Sequence, residues 1–242
     1  MAVASATRPV RHDRTIVLAA TVSLTVIAWS WLALAPGGSS FAAAFAMWMI
    51  MVVAMMLPPI LPWILLFAAT ERRSSGDRPF GRTGLFVGGY LIAWTTFCAA
   101  AASSQLLLHA WVPRQFVDGR LELRAGGALL IVAGLFQLSD LKAACLAHCR
   151  NPLGFFLARW SDGPTGALRM GATHGLYCLG CCWALMALSF ALGVMNLLWM
   201  ACLTVMLCIE TLAPRGAHLG RVFGLGLLAW GGGMVGEWIW NG

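Results

Sequence analysis

Apolar runs as long as a lipid bilayer is thick constrain this chain more than any other feature. Seven stand out, over residues 15–35, 41–69, 84–110, 125–141, 171–192, 195–212 and 219–240. A run of about 20 apolar residues crosses the hydrocarbon core as a helix. Lipid offers no partner to a peptide group, so a spanning segment must be a helix or part of a closed barrel. These runs are too long for barrel strands of roughly 10 residues. Charge is also too scarce for a soluble domain: 10% of the residues are charged, against about 25% in ordinary globular chains. The expectation is an all-α fold: a polytopic transmembrane helix bundle of about seven spans, forming a single membrane domain over residues 1–242.

Charge placement orients the bundle. With the N-terminus inside, the inner segments hold 13 of the 16 basic residues. The outer segments hold only Arg114, Arg120 and Arg124, a strong positive-inside bias. Residues 1–14 then form a cytoplasmic tail. Residues 142–170 form a cytoplasmic loop whose Leu153, Phe155, Phe156, Leu157 and Trp160, mixed with Arg150 and Arg159, suggest a helix lying in the interface. Ala33-Leu34-Ala35, after Arg8, Arg11, Arg14 and an apolar stretch, has the look of a signal-peptide cleavage site. The stretch is longer than a usual signal core, so an uncleaved first helix is expected. The net charge of +7 reflects topology signals. No basic cluster alternates with aromatics, so no nucleic-acid partner is expected.

The cysteines carry the chemistry. Five of the eight fall in two tight groups: Cys145 and Cys149 flanking His148, and Cys178, Cys181 and Cys182. On a helix, Cys145 and Cys149 share a face one turn apart. His174, Cys178, Cys181 and Cys182 follow i, i+4, i+7 and i+8, one stripe that Met186 extends. Thiolate, imidazole and thioether form a soft ligand set, which selects Cu(I), zinc or iron–sulfur clusters over hard cations. The first group falls at the inner end of the fourth run and the second inside the fifth, toward its cytoplasmic half, where they could join in one site. Cys98, Cys202 and Cys208, each alone in an apolar run, read as small packing residues. Met51 and Met55, with Met47, recur every fourth residue in the second run. That stripe fits either flexible packing or thioether ligands for Cu(I).

Two acids lie at or near membrane depth. Glu210, close to Arg215, suggests an interfacial pair, and Glu237 sits among Trp230, Trp238 and Trp240, which read as an aromatic belt. Pro58, Pro59 and Pro62 predict either a broken ladder in the second run, as at transport sites, or a simple kink or early helix end.

These residues resemble a known pattern. One signature is Leu141-Lys142, Cys145-Leu146, His148-Cys149-Arg150 and Pro152. A second, more specific one runs from His174-Gly175-Leu176-Tyr177-Cys178 through Cys181-Cys182-Trp183 to Met186. Gly193-Val194-Met195-Asn196, Trp199-Met200 and Glu210 continue it, and the run from Met51 to Pro59 matches its early part. Over about residues 47–216 the chain resembles the bacterial family of predicted metal-binding integral membrane proteins, a domain of unknown function. The resemblance implies metal binding in a bacterial inner membrane and carries the ligand positions over to Cys145, His148, Cys149, His174, Cys178, Cys181 and Cys182. Two positions depart from the pattern: Thr211 stands where a lysine follows the acid, and Phe136 where a tyrosine precedes the first signature.

Three functions compete. The first is a membrane protein that binds a soft metal, Cu(I) before zinc or iron, and transports or delivers it, with a metallochaperone or metalloenzyme as partner beside the lipid bilayer. The second is a membrane thiol–disulfide oxidoreductase using Cys178 and Cys181, whose location away from oxidising space weighs against it. The third is a scaffold subunit without metal, suited by twelve tryptophans and many small residues. No phosphate-cradling loop, no HExxH and no serine–histidine–aspartate order is present, so an enzymatic role is not the expectation.

Overall fold

A computed structural model describes residues 2–34, 40–75, 79–111, 116–117, 120–121, 123–194 and 196–241. Its helices are α1 (Ala2–Leu34), α2 (Phe41–Ser75), α3 (Phe80–Trp111), α4 (Leu123–Gln137), α5 (Asp140–Cys149), α6 (Pro152–Arg159), α7 (Gly163–Ala187), α8 (Ser189–Leu192), α9 (Leu197–Leu212) and α10 (Gly216–Asn241). A two-residue antiparallel pair, Phe116–Val117 (β1) with Arg120–Leu121 (β2), lies between α3 and α4. The fold is all-α, as expected, and the described part of every apolar run is mainly helical.

The helix lengths amend the count of seven spans. Among the described residues, five segments are long and apolar enough to cross a membrane: 12–34, 41–74, 80–111, 163–192 and 216–240. The fourth run is broken: α4 and α5 meet at 65°, and only together could they make a sixth. The sixth run, α9, has only 16 residues, about 24 Å of helix against a core of about 30 Å. At the start, α1 begins at Ala2, so residues read as a tail continue the first helix. Of the motif Ala33-Leu34-Ala35, Ala35 lies outside the described residues, as do Arg78 and Arg114 among the basic flanks and Met195 in the join before α9. Residues 142–170 hold most of α5, all of α6 and the first two turns of α7. Within α6, Phe155 and Phe156 are buried while Leu153 and Leu157 are exposed.

The break between α4 and α5 has a local cause. Ser139 caps α5 by accepting from the Lys142 N–H at 3.2 Å, and its hydroxyl donates back to Phe136 O at 2.7 Å. Asp140 in the first turn favours the positive end of the helix dipole. A new helix therefore starts in a new direction. Asn151, accepting from the Gly154 N–H, with Pro152 behind it, starts α6 in the same way.

The three prolines do not end α2, which runs continuously through them to Ser75, so no early end occurs. Pro58 still leaves the Ala54 carbonyl without its i+4 donor. Trp29 of α1 supplies one, its indole N–H donating to Ala54 O at 3.1 Å.

Helices α3 and α7 pack backbone against backbone, because glycine leaves the space. A Cβ at Gly171 would collide with the Phe86 carbonyl, one at Gly89 with the Leu168 carbonyl, and one at Gly175 would sit 2.8 Å from Tyr90 O. Gly171 and Gly175 have the four-residue spacing of small residues at close helix crossings. This packing brings Tyr90 against the cysteine stripe of α7.

Glu210 is not paired with Arg215. Its carboxylate accepts from Lys142 Nζ at 2.7 Å and from the Gln137 amide, and Lys142 also donates to Gln137 Oε1. All three side chains are buried. A lysine does face the acid, but from α5 and not from the residue after it. The Arg150 guanidinium donates to the carbonyls of Glu210, Ala213 (2.7 Å) and Pro214 (3.1 Å), tying the end of α5 to the end of α9. Glu237 is exposed at the far end of α10 beside Trp238 and Trp240.

Candidate metal centre

The two cysteine groups meet. The last residue of α5, Cys149, faces Cys178 and Cys181 of α7, and the three sulfurs all lie within 4.8 Å of one another. Cys149 Sγ is 3.7 Å from Cys181 Sγ, which is 3.2 Å from Cys182 Sγ. All four are buried and none is in a disulfide. Three sulfurs around one ion at about 2.3 Å stand about 4 Å apart. The observed spacing therefore needs only small side-chain adjustments to take a soft cation.

Between the thiols lies a small cavity, ≈ 10 Å³, the room of about one water-sized sphere. Cys149, Cys178 and Cys182 line it with His174 of α7, Met56, Pro59, Ile60 and Trp63 of α2, and Thr211 of α9. Its ligand-capable walls are sulfur and imidazole with the Thr211 hydroxyl, and among the described residues no carboxylate lines it. That donor chemistry fits Cu(I) and disfavours hard cations.

Neighbouring side chains hold the candidate ligands in place. The Trp63 indole N–H donates to Cys149 O at 2.9 Å, pinning the end of α5 to α2. The same ring stacks on His174 with centroids 3.6 Å apart. Tyr90 Oη lies 3.2 Å from Cys178 Sγ, a hydrogen bond to the sulfur. Both nitrogens of His174 are buried and find no hydrogen-bond partner among the described residues. A buried unsatisfied donor or acceptor costs about 1–3 kcal/mol. An imidazole left bare in this way, beside three thiols, has the surroundings of a ligand.

Two sequence-identified residues flank the centre without joining the sulfur trio. His148 stacks on Tyr177 at 3.7 Å, half-buried, and its Nε2 has no partner. Cys145 is half-buried against Gly180 of α7, where a Cβ would stand 2.9 Å from its sulfur. Met51, Met55 and Met186 are fully buried in the main core, but none lines the thiol cavity. Cys98 is buried, Cys202 exposed and Cys208 half-buried; none belongs to the cluster found among the described residues.

The sequence places Met56 only beside the methionine stripe, not among the ligand candidates, and gives no role to Trp63 or Tyr90. For α2 a signal existed: Met56, Pro59, Ile60 and Trp63 follow i, i+3, i+4 and i+7, one stripe, and all four line the cavity. The regular spacing of Met47, Met51 and Met55 drew attention to a neighbouring face. Tyr90 had only rarity to mark it: the chain has two tyrosines, and both stand at this centre.

No curated protein and no solved structure matches the chain. The family model PpoB2, described as "Copper chaperone", matches residues 45–234. That span holds every ligand candidate named above, and it agrees with the sulfur-rich cavity. The chain belongs to the PpoB2 copper-chaperone family.

Proposed function

We propose that this chain is an integral membrane protein of the bacterial inner membrane that binds Cu(I) and delivers it to a recipient metalloprotein. Copper is cargo here. Cys149, Cys178 and Cys181 would hold it, with Cys182, His174 and Met56 as neighbouring donors. The convergence of three buried sulfurs from two helices carries this reading. Thiolate and thioether ligands favour the monovalent, soft state of copper. The membrane setting is supported by the five long apolar helices, the inner face by the arginine distribution, and an interfacial position of α6 by its exposed Leu153 and Leu157. Cys145 and His148, half-buried beside the centre, suit a way in or out. Burial of Cys178 and Cys181 weighs against thiol–disulfide exchange, which requires a partner thiolate to reach the sulfur.

Anaerobic purification from copper-supplied cells, followed by elemental analysis, tests the reading. Stoichiometric copper should co-purify with the wild type and disappear with Cys149→Ser, Cys178→Ser or Cys181→Ser. It should survive Cys98→Ser and Cys202→Ser. Copper retained by all three cluster variants would remove the site; zinc in its place would remove the cargo assignment.

A further inference from the structure

A second cavity, of ≈ 300 Å³, lies where α5, α9 and α10 meet. Three cationic side chains line it, Lys142, Arg150 and Arg221, against one carboxylate, Glu210. Three positive charges against one negative leave a formal excess of +2. The pairing pattern keeps that excess in place. Glu210 is already engaged by Lys142 and Gln137 and offsets only the lysine. Arg150 is bound by three backbone carbonyls, which orient its guanidinium without neutralising it. Arg221 is exposed at the rim. Ala217 and Gly220, from the opening turns of the 26-residue α10, complete the wall. The positive end of that helix adds to the field.

We propose that this cavity binds a phosphate oxyanion, carried by an anionic lipid headgroup or free in solution. An anchored guanidinium, an exposed one at the rim and a helix start suit phosphate oxygens. An apolar ligand would leave the two arginines uncompensated, and a metal cation would meet net positive charge. The site also touches the copper arm: Arg150 directly follows Cys149, and Lys142 lies two turns before it. An anion seated here braces α5 between α9 and α10, so it steadies the helix that presents Cys149. The phosphate site itself stands apart from the copper reading; only its lipid source rests on the membrane setting.

The test uses the full chain in nanodiscs, with thermal unfolding and native mass spectrometry as readouts. Three conditions separate the sources: phosphatidylcholine alone, phosphatidylcholine with inorganic phosphate, and a phosphatidylglycerol mixture. Failure to enter nanodiscs would count against the membrane setting, and the phosphate arm can then be run on the chain in solution. A lipid site predicts retained phosphatidylglycerol and a raised unfolding temperature only in the third condition. A soluble source predicts the same rise with phosphate. Arg221→Gln, at an exposed position, should weaken the binding about fivefold, the effect of one surface cation on an anionic lipid. Ala147→Phe fills the cavity without changing charge and should abolish the binding. If neither condition raises stability, the site is refuted. It is equally refuted if phosphatidylglycerol binds Ala147→Phe as well as wild type, because general charge at that face would then account for the binding.

Discussion

Replacing Lys142 by methionine should be among the costliest single changes in this protein. Lys142 and Glu210 are 3% and 1% exposed, and their salt bridge is 2.7 Å long. The methionine keeps most of the lysine stem but removes the ammonium, so Glu210 is left with only the Gln137 amide. Breaking a buried pair by deleting one partner costs about 3–5 kcal/mol, because an uncompensated charge stays behind. For a chain of this size each kcal/mol lowers the unfolding temperature by about 2–4 °C, so the loss should be roughly 6–20 °C. The assay is thermal unfolding of the purified protein, with wild type, Lys142→Met, Glu210→Met and the double variant side by side. Because the penalty comes from the orphaned charge and not from lost packing, the double variant should recover most of the stability lost by Lys142→Met. Bound copper should follow the same order, since α5 ends in Cys149. A Lys142→Met variant as stable as wild type, or a double variant no better than that single one, would refute the argument.

Trp63→Phe keeps an aromatic ring against His174 but leaves the buried Cys149 carbonyl without its donor; a loss of about 1–3 kcal/mol is expected, together with faster copper loss to a Cu(I) chelator. Gly171→Val forces α3 from α7 and should cost at least about 1–3 kcal/mol, whereas Gly232→Ala, with open space around it, should change unfolding little or stabilise by up to about 1 kcal/mol. Met56→Leu, similar in volume, should leave stability within about 1.5 kcal/mol yet weaken copper retention in competition with a chelator, while Met51→Leu should not.

The architecture was legible because bilayer-length apolar runs leave a chain little choice but helix. Where it departed, the cause is local and small. Ser139 caps a new helix near the end of an apolar run, and hydropathy, which averages over many residues, does not register one hydroxyl. The prolines misled in the other direction: their carbonyls can be satisfied from outside, and Trp29 does so from another helix. The meeting of Cys149 with Cys178 and Cys181 could be expected from spacing within each group and from both groups lying toward the cytoplasmic half of their runs. The exclusion of Cys145 could not, because it depends on where the α5 axis points after a 65° turn. Glu210 shows the same boundary. A buried acid implies a cation, but which cation depends on tertiary approach; Lys142 is 68 residues away in sequence and Arg215 only five.

The void among the thiols carries a consequence for how cargo travels. With room for a single water-sized sphere, it admits an ion but not its hydration shell. Cations that hold their water tightly are turned away by dehydration alone, before any preference of sulfur is felt. If Cu(I) is the cargo, as proposed above, an ion arriving there would already have exchanged water for protein donors. On the proposed reading, loading and unloading are contact events between proteins.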